Sequence, residues 1–494
     1  MGGLPSEGAE ILHADGRVEL RDPDALHASP LYNEDLAPVA IARRTWSTWD
    51  YAALWISMAH CIPTYKMASG LIASGMAWWQ ALLTILLGNL IVLGPILLNS
   101  HPGTKYGIPF PVFARAAYGT VGSNLPALMR ALVACGWFGI NTWIGGQALH
   151  TFFVALYPPW NDALGTLSGY PGTQWIAFAL FWGLNILIIF RGMDVLRRIE
   201  RFAAPFVLVM TGALVYWAID AAGGLGPIMA KTSFTGEGTF LSVFIPSLTA
   251  TIGFWSTLSL NMPDFTRFGR SQREQAIGQV VALPTTMTAF AAMGIVITSA
   301  TVIIFHFQKP IDDPIALASH FTDRLFIGVA MFTVVIATLA VNIAANVVSP
   351  ANDFANAFPK LVDFKRGGLI TGLVGIAMMP WELMRDEHSY IVGWLVGYSG
   401  SLGAVAGVLI VDYWILRKTK LDLAALYAST GAYRYTAGWN LPAIGATLLG
   451  AAVALAGVFV PALHFLYDWS WFVGFFLAGG VYWALMQGNR PHRP

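Results

Sequence analysis

Apolar runs of membrane-crossing length alternate with short polar connectors along almost the whole of this 494-residue chain. Two of the runs, Leu132–Asn161 and Ala276–Gln308, contain no Asp, Glu, Lys or Arg. A helix needs about 20 mostly apolar residues to cross the hydrocarbon core of a bilayer, and a soluble protein would have to bury helices of this kind on every side. The pattern predicts twelve spans, near 49–72, 76–99, 122–156, 173–191, 200–220, 239–262, 276–307, 317–346, 367–383, 388–416, 440–463 and 467–487. The residues before the first span, 1–45, are polar and mixed in charge. They lack the short apolar core and small-residue cleavage site of a signal peptide, so the first span is expected to stay in the mature chain. A short basic tail, 488–494, follows the last span.

Two spans carry an interruption of the same form. Trp55 and Pro63 are separated by seven residues, and so are Trp255 and Pro263, 200 residues further on. Proline removes a backbone donor and crowds the preceding turn. Within a bilayer, freed backbone groups are tolerated only where protein or a water-lined cavity satisfies them. Interrupted apolar segments at matching places in two halves of a chain point to a midplane binding site of a transporter.

Composition and charge agree with a membrane protein. Only 11% of the residues are charged and 56% are hydrophobic, against roughly 25% charged in soluble domains. With the N-terminus inside, the cytoplasmic segments would hold 22 Lys or Arg and the external loops four, namely Lys231, Lys309, Arg324 and Arg385. That asymmetry follows the positive-inside rule and requires an even number of spans. Both termini are therefore expected in the cytoplasm. The basic clusters at 191–201 and 417–420 fall in cytoplasmic loops of a chain with a formal charge of only +1, so they mark topology and not nucleic-acid binding.

Catalytic patterns are missing. The two cysteines, Cys61 and Cys135, lie in apolar segments, and the ten histidines show neither HExxH nor an i, i+4 pair. No nucleophile elbow, phosphate loop or dinucleotide fingerprint occurs in a fitting context. We expect no enzyme, no cofactor and no metal site.

Several segments then resemble nucleobase–cation symporter family 1, and most closely its bacterial branch of hydantoin, allantoin and uracil permeases. They are HPGTKYGIPFPVFARAAYG at 101–119, GWFGINTWIGGQAL at 136–149, GFWSTLSLNMPDFTR at 253–267, AANVVSPANDF at 344–354 and LIVDYWILRK at 409–418. The resemblance implies an all-α membrane fold of the LeuT type, with inverted repeats at 46–222 (spans 1–5) and 223–420 (spans 6–10). Spans 1 and 6 would be broken, and 421–487 would hold spans 11 and 12 with the loop before them.

The resemblance also implies a site. Trp137 and Trp255 would sandwich a flat ring, Asn141 and Asn346 would bond its edges, and Cys61 would lie at the break of span 1. Independently of the family, Trp137 and Asn141 are four residues apart and share one helical face. A neutral ring with amide-like edges suits aromatic walls and in-plane amides, since buried donors and acceptors must be paired. Hydantoin-carrying relatives have Gln where this chain has Asn141, so its shorter amide implies a shifted ligand or a bridging water. Sodium-dependent relatives hold the ion with backbone carbonyls and two hydroxyls. The matching positions here are the carbonyls of Ser57, His60 and Ala337 and the side chains of Ala340 and Val341. Because Ala340 and Val341 supply no oxygen, we expect proton coupling or facilitated uptake rather than sodium coupling. His60 is then the candidate proton carrier, because its ordinary pKa of about 6.5 suits a switch near neutral pH. Lys66, in the outer half of the span, is a second candidate, but it and Arg130 fall inside spans and are expected to snorkel to the bilayer surface.

The sequence thus predicts a multi-pass carrier of the cytoplasmic membrane that imports a planar nitrogen heterocycle: allantoin, hydantoin, uracil or a related base. An amino-acid or vitamin carrier on the same scaffold is the alternative, and a non-transporting membrane enzyme or receptor is a more distant one.

Overall fold

The computed structural model describes residues 9–488, apart from Gly192, residues 307–309, residue 312 and residues 385–388. The expected start of the tenth span at 388, the end of the seventh at 307, the tail beyond 488 and the external cations Lys309 and Arg385 therefore lie outside the described residues.

The chain is built from helices, with two small hairpins, Glu10–Leu12 with Val18–Leu20 and Thr166–Leu167 with Tyr170–Pro171. The first half holds α1 Thr48–Ala59, α2 Ile62–Ala73, α3 Trp78–Tyr106, α4 Phe110–Tyr118, α5 Asn124–Leu156, α6 Gly172–Arg191, α7 Met193–Ala221 and the short α8 Leu225–Ile228. Next come α9 Phe240–Phe254, α10 Ser256–Asn261, α11 Pro263–Thr266, α12 Gln272–Phe305, α13 Pro314–Ala318, α14 Arg324–Asn346 and α15 Val348–Ala357. The last part holds α16 Phe364–Ala377, α17 Pro380–Leu383, α18 Gly397–Ile410 with π-helical turns on either side, α19 Leu441–Phe459, α20 His464–Asp468 and α21 Ser470–Met486.

Among the described residues, seven helices are long and apolar enough to cross a membrane unaided, and an eighth span arises if the bent pair Pro461–Asp468 and Ser470–Met486 counts as one. The four remaining predicted spans are the two broken ones (α1/α2 and α9/α10), α7 and the short α16. The eighth span begins later than 317, because the Asp323 side chain accepts from the Leu325 N–H at 2.8 Å and caps α14 there.

The breaks are where the resemblance implies, but the shared Trp–Pro spacing does not mark them. In the first span, His60 and extended Cys61 (φ −139°, ψ 154°) separate α1 from α2, and Pro63 sits in the first turn of α2, where a missing N–H costs nothing. Trp55 is inside α1. In the sixth span Trp255 is itself the break, ending α9 and starting α10, and Pro263 opens α11 one short helix later.

Helices of the two halves interleave: α1 packs on α12, α3 on α12, and α5 on α14. Small residues allow the closest approaches, as van der Waals packing in a bilayer requires. A Cβ on Gly139 of α5 would collide with the Gly375 carbonyl of α16.

On the face that bears the N-terminus, residues 9–44 form an ordered cap rather than a loose segment. Buried Arg44 donates to the carbonyls of Val39 (2.7 Å), Val18 (2.9 Å) and Thr104 (3.2 Å). Asn33 donates to the carbonyls of Pro359 and Val362, and the Asp35 carbonyl accepts from Arg267 at 2.8 Å.

Candidate functional site

Cys61, Trp137, Asn141, Trp255 and Asn346 all line one cavity of about 350 Å³ between α2, α5, the α9/α10 break and α14. Met58, Phe254, Thr257, Val341 and Ala345 contribute to its walls, and none of its twelve lining residues is charged.

The aromatic wall is a run of edge contacts. Phe254 links the two expected tryptophans, with ring centroids 5.1 Å from Trp137 and 4.9 Å from Trp255, at 65° and 77°. Trp255 also meets Trp55 of α1 at 5.0 Å and 86°. Perpendicular contacts of this kind are a favourable aromatic arrangement. Tyr398 of α18 holds two pieces together: it accepts from the Trp137 indole N–H at 3.2 Å and donates to the Gly253 carbonyl at 2.8 Å. Nothing in the sequence singled out Phe254 or Tyr398.

The amides are buried. Asn141 donates to the Trp137 carbonyl at 3.1 Å, and its Oδ1 has no partner among the described residues. Asn346 donates to Asn342 Oδ1 at 3.0 Å. The Trp255 indole N–H is likewise buried and unpartnered. A buried polar atom without a partner costs about 1–3 kcal/mol, which a bound ligand or water relieves. Asn342 escaped the sequence reading, although its i, i+4 spacing from Asn346 was visible.

A second cavity, of about 260 Å³, adjoins the first through Val341. It is lined by Ser57, His60, Ala337, Ala340 and Val341, the five positions of the expected ion region, together with Ile56 and Val207. His60 closes the C-terminal end of α1, the end of a helix that favours positive charge. Its Nδ1 lies 2.9 Å from the Ile56 carbonyl, which makes Nδ1 the protonated nitrogen of the neutral ring. Nε2 is buried with no partner among the described residues, and the ring packs against Phe290 at 4.6 Å.

One expectation fails and another gains a partner. Lys66 pairs with Asp313, the residue that caps α13, at 3.1 Å. Arg130 does not reach the surface. It is fully buried 3.6 Å from Asp353 of α15, with Asp264 of α11 also acting on it. A buried cation without an anion would be prohibitively costly, so the partner decides the geometry.

Residues 38–474 match the model of a family described as permeases for cytosine/purines, uracil, thiamine and allantoin. The chain is 43% identical over 466 residues to the allantoin permease of Bacillus subtilis strain 168, covering 93% of this chain and 94% of that one. It is 40% identical to a purine-uracil permease of Arabidopsis thaliana, over 92% of this chain and 78% of that one. Among solved structures it superposes with a TM-score of 0.75 on Mhp1, a nucleobase-cation-symport-1 family transporter in a closed conformation with bromovinylhydantoin bound. The two are 25% identical, with 93% of this chain and 96% of that one covered. The broken helices, the cavity between them and these similarities converge on a membrane transporter, not an enzyme: the chain belongs to the nucleobase–cation symporter 1 family of permeases.

Proposed function

We propose that this transporter imports a small planar nitrogen heterocycle with amide-like edges (allantoin, a hydantoin, uracil or a related base) across the cytoplasmic membrane, with both termini in the cytoplasm. The observation that carries this reading is the uncharged cavity of about 350 Å³ in which two indoles and two carboxamides converge. An amino acid would leave its carboxylate without a cationic side chain there, which disfavours the amino-acid alternative. The likeness to an allantoin permease and to a hydantoin-bound structure adds weight from outside the geometry. In this reading Trp137 and Trp255 stack on the ring, Asn141 and Asn346 bond its edges, and Cys61 closes the cavity beside the first break.

Coupling is to a proton. The second cavity offers Ser57 and His60 but only aliphatic side chains at Ala340 and Val341, so a sodium ion stripped of water would lack two oxygens. His60 bears the proton on Nε2, the one ring nitrogen without a partner. Uptake of labelled allantoin, uracil, hydantoin and cytosine into proteoliposomes, each competed by the others, tests the substrate class. Saturable uptake of at least one of these rings is expected. Transport of none of them, with transport of an amino acid instead, would overturn the reading.

A further inference from the structure

The carboxamides at the cavity point in fixed directions, and the groups that fix them lie behind the cavity wall. Asn342, one helical turn before Asn346 on α14, is fully buried. Its Nδ2 faces three acceptors: the Phe138 carbonyl at 3.3 Å, Thr142 Oγ1 at 3.1 Å and Asn185 Oδ1 at 3.2 Å. A carboxamide has a donor end and an acceptor end of nearly equal shape, so its direction must come from partners that cannot reverse. Backbone carbonyls are such partners, because they only accept. The Phe138 carbonyl acts on Asn342 directly. The Phe181 carbonyl acts through Asn185, whose Nδ2 donates to it at 2.8 Å and so turns Oδ1 toward Asn342.

Both anchors turn the Asn342 amino group toward α5 and α6, and its Oδ1 therefore faces Asn346, where it accepts at 3.0 Å. Asn346 spends one N–H on that bond, and its Oδ1 has no partner among the described residues. Asn141 reaches the same state by a shorter route. Its amino group is tied to the Trp137 carbonyl and its buried Oδ1 is unpartnered.

We infer that the relay Asn185–Asn342–Asn346, braced by Thr142, and the Asn141–Trp137 bond together present two amide oxygens to the cavity, beside the Trp255 indole N–H, and so select rings presenting two N–H donors. Asn342, Asn185 and Thr142 are positioning residues, since they act only through Asn346. This rests on the cavity being the heterocycle site. A cyclic ureide or imide carries N–H groups that satisfy both oxygens. A ring alkylated at nitrogen, or one with pyridine-type nitrogens on that edge, leaves an acceptor buried and unpaired, and sites of this kind discriminate strongly against ligands lacking the donor.

The test is calorimetric binding to the purified full-length protein. The ligands are a parent cyclic ureide or imide, its N-methyl derivatives, and a C-methyl isomer of equal bulk. The C-methyl isomer should bind within about threefold of the parent and the N-methyl derivatives about tenfold or more weakly. In Asn342→Leu, the ratio between N-methyl and C-methyl ligands should fall toward one, whereas a merely structural role would weaken both ligands equally. Thr142→Val should lower the ratio less, because the Phe138 carbonyl and Asn185 still orient Asn342. Equal binding of N-methyl and C-methyl ligands to the wild type, or an unchanged ratio in Asn342→Leu, would overturn the inference. The wild-type series decides by itself if the variant fails to fold. Failure of every parent ring to bind overturns the substrate reading together with this inference, whereas binding without discrimination overturns this inference alone.

Discussion

Replacing Trp137 with alanine removes one aromatic wall of the cavity from the middle of α5, a helix held on several sides by other packing. One face of a five- or six-membered ring covers about 40–60 Å² of indole, which at about 25 cal/mol per Å² is worth about 1–1.5 kcal/mol. The stacking contact adds roughly 0.5–1.5 kcal/mol beyond area. Tyr398 loses the indole N–H that it accepts but keeps its donated bond to the Gly253 carbonyl, so the scaffold behind the wall stays tied. The total, about 1.5–3 kcal/mol, corresponds to a Kd raised about 10- to 100-fold. Trp137→Phe keeps a ring face and should cost less than about threefold, near the lower limit of what one neutral hydrogen bond contributes. Calorimetry on purified protein, with a monodisperse gel-filtration peak as the control for folding, reads both variants. An alanine variant that folds and binds every ring within threefold of wild type would refute the assignment of this wall.

Asn346→Ala should weaken binding more than Asn141→Ala, because Asn346 is the end of a braced relay and Asn141 is oriented by one bond; silence of Asn346→Ala for every ring would exclude α14 from the site. Asn141→Gln lengthens the amide by one methylene and should improve binding of a bulky 5-substituted hydantoin, measured against the unsubstituted ring. Proteoliposome uptake should be unchanged when sodium is replaced by choline and should be driven by an inward proton gradient. His60→Ala should abolish the pH dependence of uptake while substrate exchange persists; strong sodium stimulation would contradict this. Arg130→Ala leaves Asp353 buried without its cation and should destabilise the protein by about 3–5 kcal/mol, and Arg130→Met with Asp353→Leu should recover most of that. Thermal unfolding in detergent compares the two, and equal stability of Arg130→Ala and wild type would show the pair to be dispensable.

The membrane class, the broken first and sixth spans and all five cavity residues were legible in the sequence, the spans from hydropathy and the residues from family resemblance. The repeated Trp–Pro spacing led to the correct spans through a feature that does not do the breaking, since Pro63 opens a half-helix and Trp255 is a break with no proline beside it. What stayed hidden depends on partners far along the chain. Arg130 looked like a surface-seeking cation because Asp353 is 223 residues away, and Lys66 because Asp313 lies in a loop. The N-terminal cap read as a polar stretch, yet Arg44, Asn33 and Asp35 each bond main-chain groups far along the chain, those of Thr104, Pro359 and Phe364, and main-chain groups leave no mark on composition. The direction of the amides was equally invisible, since it is set by carbonyls and not by residue types.

Trp255 is the single residue between α9 and α10, capping the end of one and the start of the other, with φ −104° and ψ 6°. Its indole therefore swings with the angle between the two half-helices, unlike Trp137, which rides on one continuous helix. A ring seated on that indole stabilises one angle over others by the difference in contact free energy between them. By linkage, any event that fixes the angle changes ligand affinity by the same factor. Occupancy and shape are thus two readings of a single torsion. A Kd for this protein carries a meaning only together with the conformation in which it was measured.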